Sequence, residues 1–368
     1  MKPAPSPRRR RLRTGAKLLA SGTIFLLTLE LVVRIVMPVD TFIAAPNRWD
    51  RATGLHMIEN GRGSIDRPEY RCDFQINSRG LRERETPLEP PQDERRILFL
   101  GDSYTCGFGV EPEQAFSRVV ESLTGWRAIN AGVGATGTAH QLAYYLDEGR
   151  HYGADLVVLG FVANDFGDNV GSGLFRVEND ALVRHDSPRS MATWLMEITR
   201  RLPGYHTVLG RSHALARVKQ GFAAWWYGRR VDSGRVAGLD EPMPERRLDL
   251  SVRLVRALDT AVRNEGARLL VVVVPLAADL DVSPEPLHEL ARRVRAADVT
   301  VLDLEEARDL CEAAGVATYY PVDGHWNVEG HRRYGRVIAE VVNSLESSVQ
   351  EGDQEHGRRV PKGASFEP

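Results

Sequence analysis

Three polar residues have the types and spacing that nucleophilic catalysis at a serine requires. Ser103 stands in the tripeptide GDS directly after the apolar run Ile97–Leu100, and Asp323 and His325 stand two residues apart near the end of the chain. A serine hydroxyl becomes a nucleophile when an imidazole takes its proton, and a carboxylate holds that imidazole in the required tautomer. The sequence therefore predicts a Ser103, His325 and Asp323 constellation.

Two further segments contain candidate hydrogen-bond donors. The segment NAGVGATGT follows the run Arg127–Asn130, and its small residues Gly134 and Ala135 allow a backbone N–H to approach a bound atom closely. Asn164 follows the run LVVLGF and can donate from its side-chain amide. The backbone N–H of Ser103 is a further candidate. Each segment alone is also an ordinary turn or cap, but four such segments in order favour a functional site.

Short apolar runs that alternate with helical stretches must position these residues. The predicted strands are Ile97–Leu100, Arg127–Asn130, Leu156–Phe161, Arg268–Val274 and Val299–Leu302. The predicted helices are Glu113–Thr124, Thr138–Glu148, Leu248–Asn264 and Leu287–Ala296. Continuous apolar strands separated by helices are typical of a parallel sheet with both faces covered. We therefore expect an α/β fold, a flavodoxin-like three-layer α/β/α sandwich with a five-stranded parallel sheet, which binds ligands at the strand ends.

The ordered set GDS, NAGVGATG, Asn-Asp and DGH resembles the SGNH (GDSL-like) hydrolase superfamily. The resemblance covers residues 95–346 and implies the activity of an esterase, lipase or carbohydrate acyl-hydrolase. It implies that Ser103 is the nucleophile, that Asn164 is an oxyanion donor, and that Asp323 and His325 complete the triad. It implies no cofactor, because acyl transfer needs only a nucleophile, a base and donors. The segment INSRGLRERE also resembles bacterial envelope members of this superfamily.

The sequence departs from the superfamily pattern at two places. The second block usually reads N-x-G-x-x-G, and here Ala135 stands at the later glycine with Gly134 beside it, so either residue is the candidate donor. The usual terminal motif is D-x-x-H, whereas Asp323 and His325 form D-x-H. The shorter form resembles membrane-associated members and polysaccharide O-acetyltransferases of the superfamily, which leaves the reaction open.

The N-terminus combines a basic segment with an apolar span. Residues 1–17 contain seven basic residues and no acid, and residues 18–38 are long enough for a transmembrane helix. Glu30 and Arg34 lie four apart on one helical face, where pairing lowers the cost of burying their charges. We expect a single-pass anchor that leaves residues 1–17 in the cytoplasm and the catalytic domain in the periplasm or at the cell surface. A cleaved signal peptide with the core Leu18–Leu29 is the alternative.

The remaining segments complete the expected organisation. Residues 39–94 are expected to form a connector that packs on the main domain, residues 95–346, and residues 171–245 to form an insertion within that domain. The basic and aromatic stretch 200–231 either packs as a helical insertion, lies against anionic headgroups or binds an anionic polymer. Residues 347–368 are polar and expected to be disordered.

Composition limits the partners and metals that we expect. Lys and Arg number 48 against 50 Asp and Glu, so the net charge of −2 gives no bias toward nucleic acid. The cysteines Cys72, Cys106 and Cys311 lack metal-type spacing, and whether Cys72 pairs with Cys311 stays open. His325 and His331 share a segment without the H-E-x-x-H pattern, so no metal site is expected.

These observations favour a serine esterase that cleaves an ester on an envelope carbohydrate or lipid, an O-acetyl group among the candidates, through an acyl-serine intermediate. Two alternatives remain: a polysaccharide O-acetyltransferase, in which a sugar hydroxyl replaces water as acceptor, and a non-catalytic envelope binding module. Hydrolysis is favoured because the chain has no multi-span acyl carrier. The α/β-hydrolase fold is disfavoured because Thr105 stands where its G-x-S-x-G elbow requires glycine.

Overall fold

The computed structural model describes most of the chain outside the large insertion. The described residues are 7–36, 47–66, 69–188, 212–215, 217–218, 245–275, 285–304, 308 and 316–357. Cys311, and the basic and aromatic stretch 200–231 apart from 212–215 and 217–218, lie outside them. Whether Cys72 and Cys311 pair is therefore not addressed by the structure.

Helix α1 comprises Pro7–Val36 and contains the one candidate membrane span found among the described residues. Its stretch Thr14–Val36 has a mean hydropathy of 1.9 and no burial against the rest of the protein, which suits an anchor and equally a signal sequence. Glu30 and Arg34 pair at 3.1 Å, as their spacing predicts. The Glu30 carboxylate also accepts hydrogen bonds from the Ser212 hydroxyl and from the backbone N–H groups of the next two residues.

The described part of the connector forms two antiparallel hairpins. Strands β1 (Asn47–Asp50) and β2 (Gly54–Met57) form the first, and β3 (Arg62–Asp66) and β4 (Arg71–Gln75) form the second. The stretch YRCDFQIN is strand-like in sequence and contains β4, whereas β1 and β3 are short, mostly polar and without such a pattern. The second hairpin packs on the main domain in a cluster of buried side chains that also includes Met57 of the first hairpin: Met57, Ile65, Tyr70, Cys72, Phe74, Ile76 and Cys106.

The main domain alternates strands and helices. In chain order its elements are β5 (Arg96–Leu100), α2 (Ser103–Cys106), α3 (Phe116–Thr124), β6 (Arg127–Asn130), α4 (Thr138–Asp147), β7 (Leu156–Phe161), α5 (Asp165–Ser172), β8 (Phe175–Glu178), β9 (Ala181–Arg184), α6 (Glu245–Asn264), β10 (Arg268–Val273), α7 (Glu285–Arg295), β11 (Thr300–Asp303) and α8 (Val328–Gly357). The sheet strands agree with the predicted ones to within one residue at each end.

Five of these strands form one parallel sheet in the order β6-β5-β7-β10-β11. This order is the flavodoxin-like one, so the predicted fold class is confirmed. The order reverses between β5 and β7, and the carboxyl ends of the strands at such a reversal form the crevice in which ligands bind. Ser103 follows β5 directly and therefore lies at this switch point.

Two hydrophobic clusters cover the two faces of the sheet. Leu98 and Leu100 of β5 face α4, α6 and α7, whereas Ile97 and Phe99 face α3 and α8. Successive strand residues point to opposite faces, so a strand that is apolar at every position must be covered on both. This three-layer packing holds the strand ends, and hence the loops that follow them, in fixed positions.

Several helix boundaries differ from the prediction. Helix α6 begins at Glu245 and helix α7 at Glu285, three and two residues before their predicted starts. Helix α3 begins at Phe116 because Pro112–Gln114 form a separate 3₁₀ turn. Helix α8 continues to Gly357, past Ser347, where the sequence analysis placed the start of a disordered tail. Glu and Gln are good helix formers, so the stretch after Ser347 has a composition that favours a helical backbone.

Candidate active site

Ser103 is presented by a tight turn between β5 and α2. A Cβ atom at Gly101 would lie 2.1 Å from Thr105 Oγ1, so only glycine fits at the end of the strand. The next residue, Asp102, caps α2 by accepting a hydrogen bond of 2.9 Å from the backbone N–H of Tyr104. Ser103 is consequently the first residue of the helix and remains half-buried at the sheet edge.

The structure brings the hydroxyl, the imidazole and the carboxylate together. Ser103 Oγ lies 2.8 Å from His325 Nε2, and His325 Nδ1 lies 2.5 Å from Asp323 Oδ1. The Asp323 side chain is 4% exposed and that of His325 is 21% exposed. Gly324 has a φ of 79°, a left-handed conformation that turns the chain back so that both side chains meet. These two contacts form the relay of hydrogen bonds that serine catalysis requires.

Two aromatic rings hold the imidazole of His325. The Tyr104 ring lies 4.9 Å from it and the Phe108 ring stacks on it at 5.7 Å, measured between ring centroids. Tyr104 also donates a hydrogen bond of 2.8 Å to the backbone carbonyl of Gly324. Burial raises the pKa of Tyr104 well above its usual value, so its hydroxyl stays a donor. No sequence pattern indicated these contacts, since aromatic residues near a motif usually pack in the core.

Asn130 ties the second block to the nucleophile helix. Its side-chain N–H donates to the Thr105 carbonyl at 2.7 Å, and its side-chain oxygen accepts from Gly132 N at 3.0 Å. A Cβ at Gly132 would lie 2.4 Å from Cys106 N, so glycine allows this loop to pass directly over α2. Asn130 therefore links the loop after β6 to α2, a structural role that its sequence position did not indicate.

The two candidate backbone donors of this block differ in their surroundings. Gly134 is buried, its N–H forms a hydrogen bond to the Cys106 thiol, and a Cβ there would lie 2.7 Å from the Phe108 ring. Burial raises the pKa of Cys106 to about 12, so the sulfur remains a neutral thiol. Ala135 is exposed and has a φ of 63°, the left-handed conformation that favours glycine.

Asn164 lies at the end of β7 on the same side as the nucleophile. Its side-chain Nδ2 donates to Asp102 Oδ2 at 3.3 Å and to Asp168 Oδ2 at 3.0 Å. Asp102 Oδ2 also lies 3.4 Å from Ser103 Oγ, which brings the amide to the edge of the site. Asn164 is exposed, so this edge is open to a ligand.

Three aspartates lie beneath this edge. Burial raises the pKa of Asp102 and Asp168, and it raises that of Asp165 well above the usual carboxyl range. Asp165 accepts from the Thr138 hydroxyl at 3.3 Å.

A flavodoxin-like sheet with a serine, histidine and aspartate relay at its switch point is an arrangement that can perform acyl transfer at the serine. The sequence profile of the GDSL-like Lipase/Acylhydrolase family matches residues 99–333, more than half of the chain. The chain belongs to this family, and the resemblance drawn from its motifs is confirmed.

Solved structures resemble the chain at low identity. A lipase/acylhydrolase from Enterococcus faecalis is 17% identical over 73% of this chain and 100% of that chain, with a TM-score of 0.39. A GDSL-like lipase from Bacteroides thetaiotaomicron is 12% identical over 70% of this chain and 91% of that one, with a TM-score of 0.38. A carbohydrate esterase family 2 enzyme from Corynascus thermopiles is 13% identical over 71% and 69%, with a TM-score of 0.41. No curated protein matches the chain.

Proposed function

We propose that this protein is a serine esterase that cleaves an acyl ester through an acyl-serine intermediate. The observation that carries the proposal is the contact of 2.8 Å between Ser103 Oγ and His325 Nε2, with Asp323 Oδ1 at 2.5 Å on the other ring nitrogen. Such a relay lets the imidazole take the serine proton while the carboxylate stabilises the imidazolium that forms. Membership of an acylhydrolase family supports the same chemistry.

The reaction proceeds in two acyl transfers. Ser103 Oγ attacks the ester carbonyl carbon as His325 Nε2 accepts the hydroxyl proton, and the carbonyl π electrons move to oxygen. The tetrahedral intermediate collapses, the bond to the leaving oxygen breaks, and His325 gives its proton to the departing alcohol. Water then attacks the acyl-serine with His325 again as base, which releases the acid and restores Ser103.

Three donors would meet the oxyanion: the backbone N–H of Ser103, the backbone N–H of Ala135 and the side-chain amide of Asn164. Ala135 is preferred over Gly134 because Gly134 is buried and its N–H is directed at the Cys106 thiol, whereas Ala135 is exposed. One donor of this kind is typically worth about 2.7–4 kcal/mol of transition-state stabilisation.

The proposed location is the cell envelope. Residues 18–38 would act as a single-pass anchor, with residues 1–17 in the cytoplasm and the domain 95–346 on the other side of the membrane. The apolar helix α1 and its basic N-terminal residues support this placement. The substrate would then be an ester on an envelope carbohydrate or lipid, O-acetyl groups included.

The test is ester turnover by the full chain in detergent. We expect hydrolysis of some member of a panel of short and long acyl esters and acetylated cell-wall sugars, and loss of it in Ser103→Ala and His325→Ala. Ser122→Ala is the matched control, because Ser122 is exposed on α3 and its hydroxyl only donates to a helix carbonyl. Unchanged turnover in Ser103→Ala would refute the proposal. Acetylated oligosaccharide formed with a sugar acceptor present would instead assign acetyl transfer.

A further inference from the structure

The turn that carries Asp323 and His325 is closed by its own backbone. Tyr320 N donates to the His325 carbonyl at 2.9 Å, and Gly324 N donates to the Tyr320 carbonyl at 2.9 Å. These bonds define the outline of the turn but do not engage the N–H groups of Val322 and Asp323. The orientation of the Asp323 peptide, which sets the direction of its carboxylate, therefore depends on contacts from outside the turn.

Glu69 supplies those contacts. Its Oε1 accepts a hydrogen bond of 2.9 Å from Val322 N, and its Oε2 accepts one of 2.8 Å from Asp323 N. A carboxylate has two oxygens with lone pairs in one plane, so a single side chain can accept from two consecutive amides. Glu69 precedes β4 in the connector, and it therefore lies outside the region 99–333 that matches the family profile.

The connector contacts the turn through a second side chain as well. The ring of Tyr70 lies 4.7 Å from the ring of Tyr320, measured between centroids. Tyr320 in turn donates from its hydroxyl to the Gly109 carbonyl at 2.8 Å, which links the turn to the loop after α2. The connector is thus packed against the side of the turn that Glu69 binds, which keeps the Glu69 carboxylate within reach of both amides.

Arg82, which follows the second hairpin, holds the loop after the nucleophile in a similar way. Its buried guanidinium donates to the carbonyl of Gly107 at 2.7 Å and to that of Val110 at 2.8 Å, and also to the Asp73 carbonyl of β4 at 2.7 Å. The connector therefore contacts both loops between which Ser103 and His325 meet.

We propose that Glu69 is a positioning residue of the active site, which fixes the turn carrying Asp323 and acts on the reaction through the Asp323–His325 pair. This inference rests on the proposed esterase function. Val322 is 88% exposed, so water can replace Glu69 as acceptor for its N–H when the carboxylate is removed. Loss of Glu69 should consequently leave the protein folded while the direction of the Asp323 carboxylate becomes less well defined.

The experiment compares Glu69→Ala, Glu69→Gln and the control Glu113→Ala in the full chain in detergent, with p-nitrophenyl acetate as substrate. Glu113 is an exposed glutamate on the turn before α3, whereas Glu69 is half-buried. We expect kcat to fall by about 10–100-fold in Glu69→Ala with KM within about twofold, because small misplacements of catalytic groups cost that much. Glu69→Gln should lose less, since its amide oxygen still accepts one bond. Glu113→Ala should match the wild type, and the thermal midpoints of all four proteins should agree.

Two further measurements separate positioning from a general loss of structure. If Glu69 acts through Asp323, Glu69→Ala should have no effect on kcat in an Asp323→Ala background. The downfield proton resonance of the His325 Nδ1–H, assigned by its loss in His325→Ala, should broaden in Glu69→Ala and persist in Glu113→Ala. Wild-type kcat in Glu69→Ala, an equal loss in the Asp323→Ala background, or an unchanged resonance would each overturn the inference. The resonance requires no turnover, so it tests Glu69 even if the esterase proposal fails.

Discussion

Replacement of Asn164 by alanine should slow the reaction by less than the usual loss of an oxyanion donor. In the resting site both N–H bonds of the Asn164 amide are already used, at 3.3 Å to Asp102 and 3.0 Å to Asp168. One of them must be given up before the amide can serve an oxyanion. A full donor is worth about 2.7–4 kcal/mol, and the released bond offsets about 0.5–1.5 kcal/mol of it. The remaining 1.2–3.5 kcal/mol or so corresponds to a decrease in kcat of roughly 8–400-fold.

The assay is steady-state hydrolysis of an activated ester by the wild type and by Asn164→Ala. KM should change little, because the interaction forms only as charge develops on the carbonyl oxygen. Asn164→Asp, which keeps the shape of the side chain but cannot donate when ionised, should lose at least as much. Asn343→Ala, which removes an exposed asparagine about four turns into α8, is the control. A kcat for Asn164→Ala within about threefold of the wild type would refute the assignment of this amide to the oxyanion.

Three further predictions concern neighbouring groups. Asp168→Ala frees one N–H of Asn164, so kcat should rise by about 2–5-fold, and a rise that persists in Asn164→Ala would contradict this cause. Ala135→Gly keeps the backbone N–H at a φ of 63°, which suits glycine. Activity should therefore stay within about twofold of the wild type, and the free energy of unfolding within about 1 kcal/mol. A tenfold loss of activity would count against this donor. Burial lowers the pKa of His331 to about 3. Between about pH 6.5 and about pH 3, therefore, only the unfolded chain binds this proton. The free energy of unfolding then falls by about 1.4 kcal/mol for each unit of decrease in pH. In the wild type the Phe116 N–H donates to His331 Nδ1 at 3.2 Å, and His331→Asn keeps an acceptor for it. The variant should reduce the pH dependence of the free energy of unfolding, measured in urea, by the same slope. An unchanged slope would contradict this prediction.

Much of the fold follows from local patterns in the sequence. The strand Leu156–Phe161 is buried at all six positions. A strand that is apolar at every position is typical of a sheet covered on both faces, so this run could be recognised from its sequence. The connector hairpins were missed for the opposite reason. Strands β1 and β3 are short and polar, and the contacts that stabilise them come from the main domain rather than from their own periodicity.

Some residues of the candidate site could likewise be predicted from the sequence, and others could not. Ser103, Asp323 and His325 were predictable because each stands in a short motif at a strand or helix end, and the sheet order then brings those ends together. Glu69 was not predictable, because it lies 254 residues from Asp323 and an isolated glutamate on a turn has no distinctive pattern. Asp168 was missed because its contact with Asn164, four residues earlier, is also an ordinary spacing within a helix.

Covalent labelling by a fluorophosphonate tests most directly whether Ser103 is an activated nucleophile. The account predicts one adduct per chain, mapped by mass spectrometry to the peptide that contains Ser103, with no adduct in Ser103→Ala. Because His325 Nε2 lies 2.8 Å from the hydroxyl, His325→Ala should slow labelling by about 10³-fold or more. An adduct at another residue, or labelling of His325→Ala at the wild-type rate, would contradict the proposed chemistry.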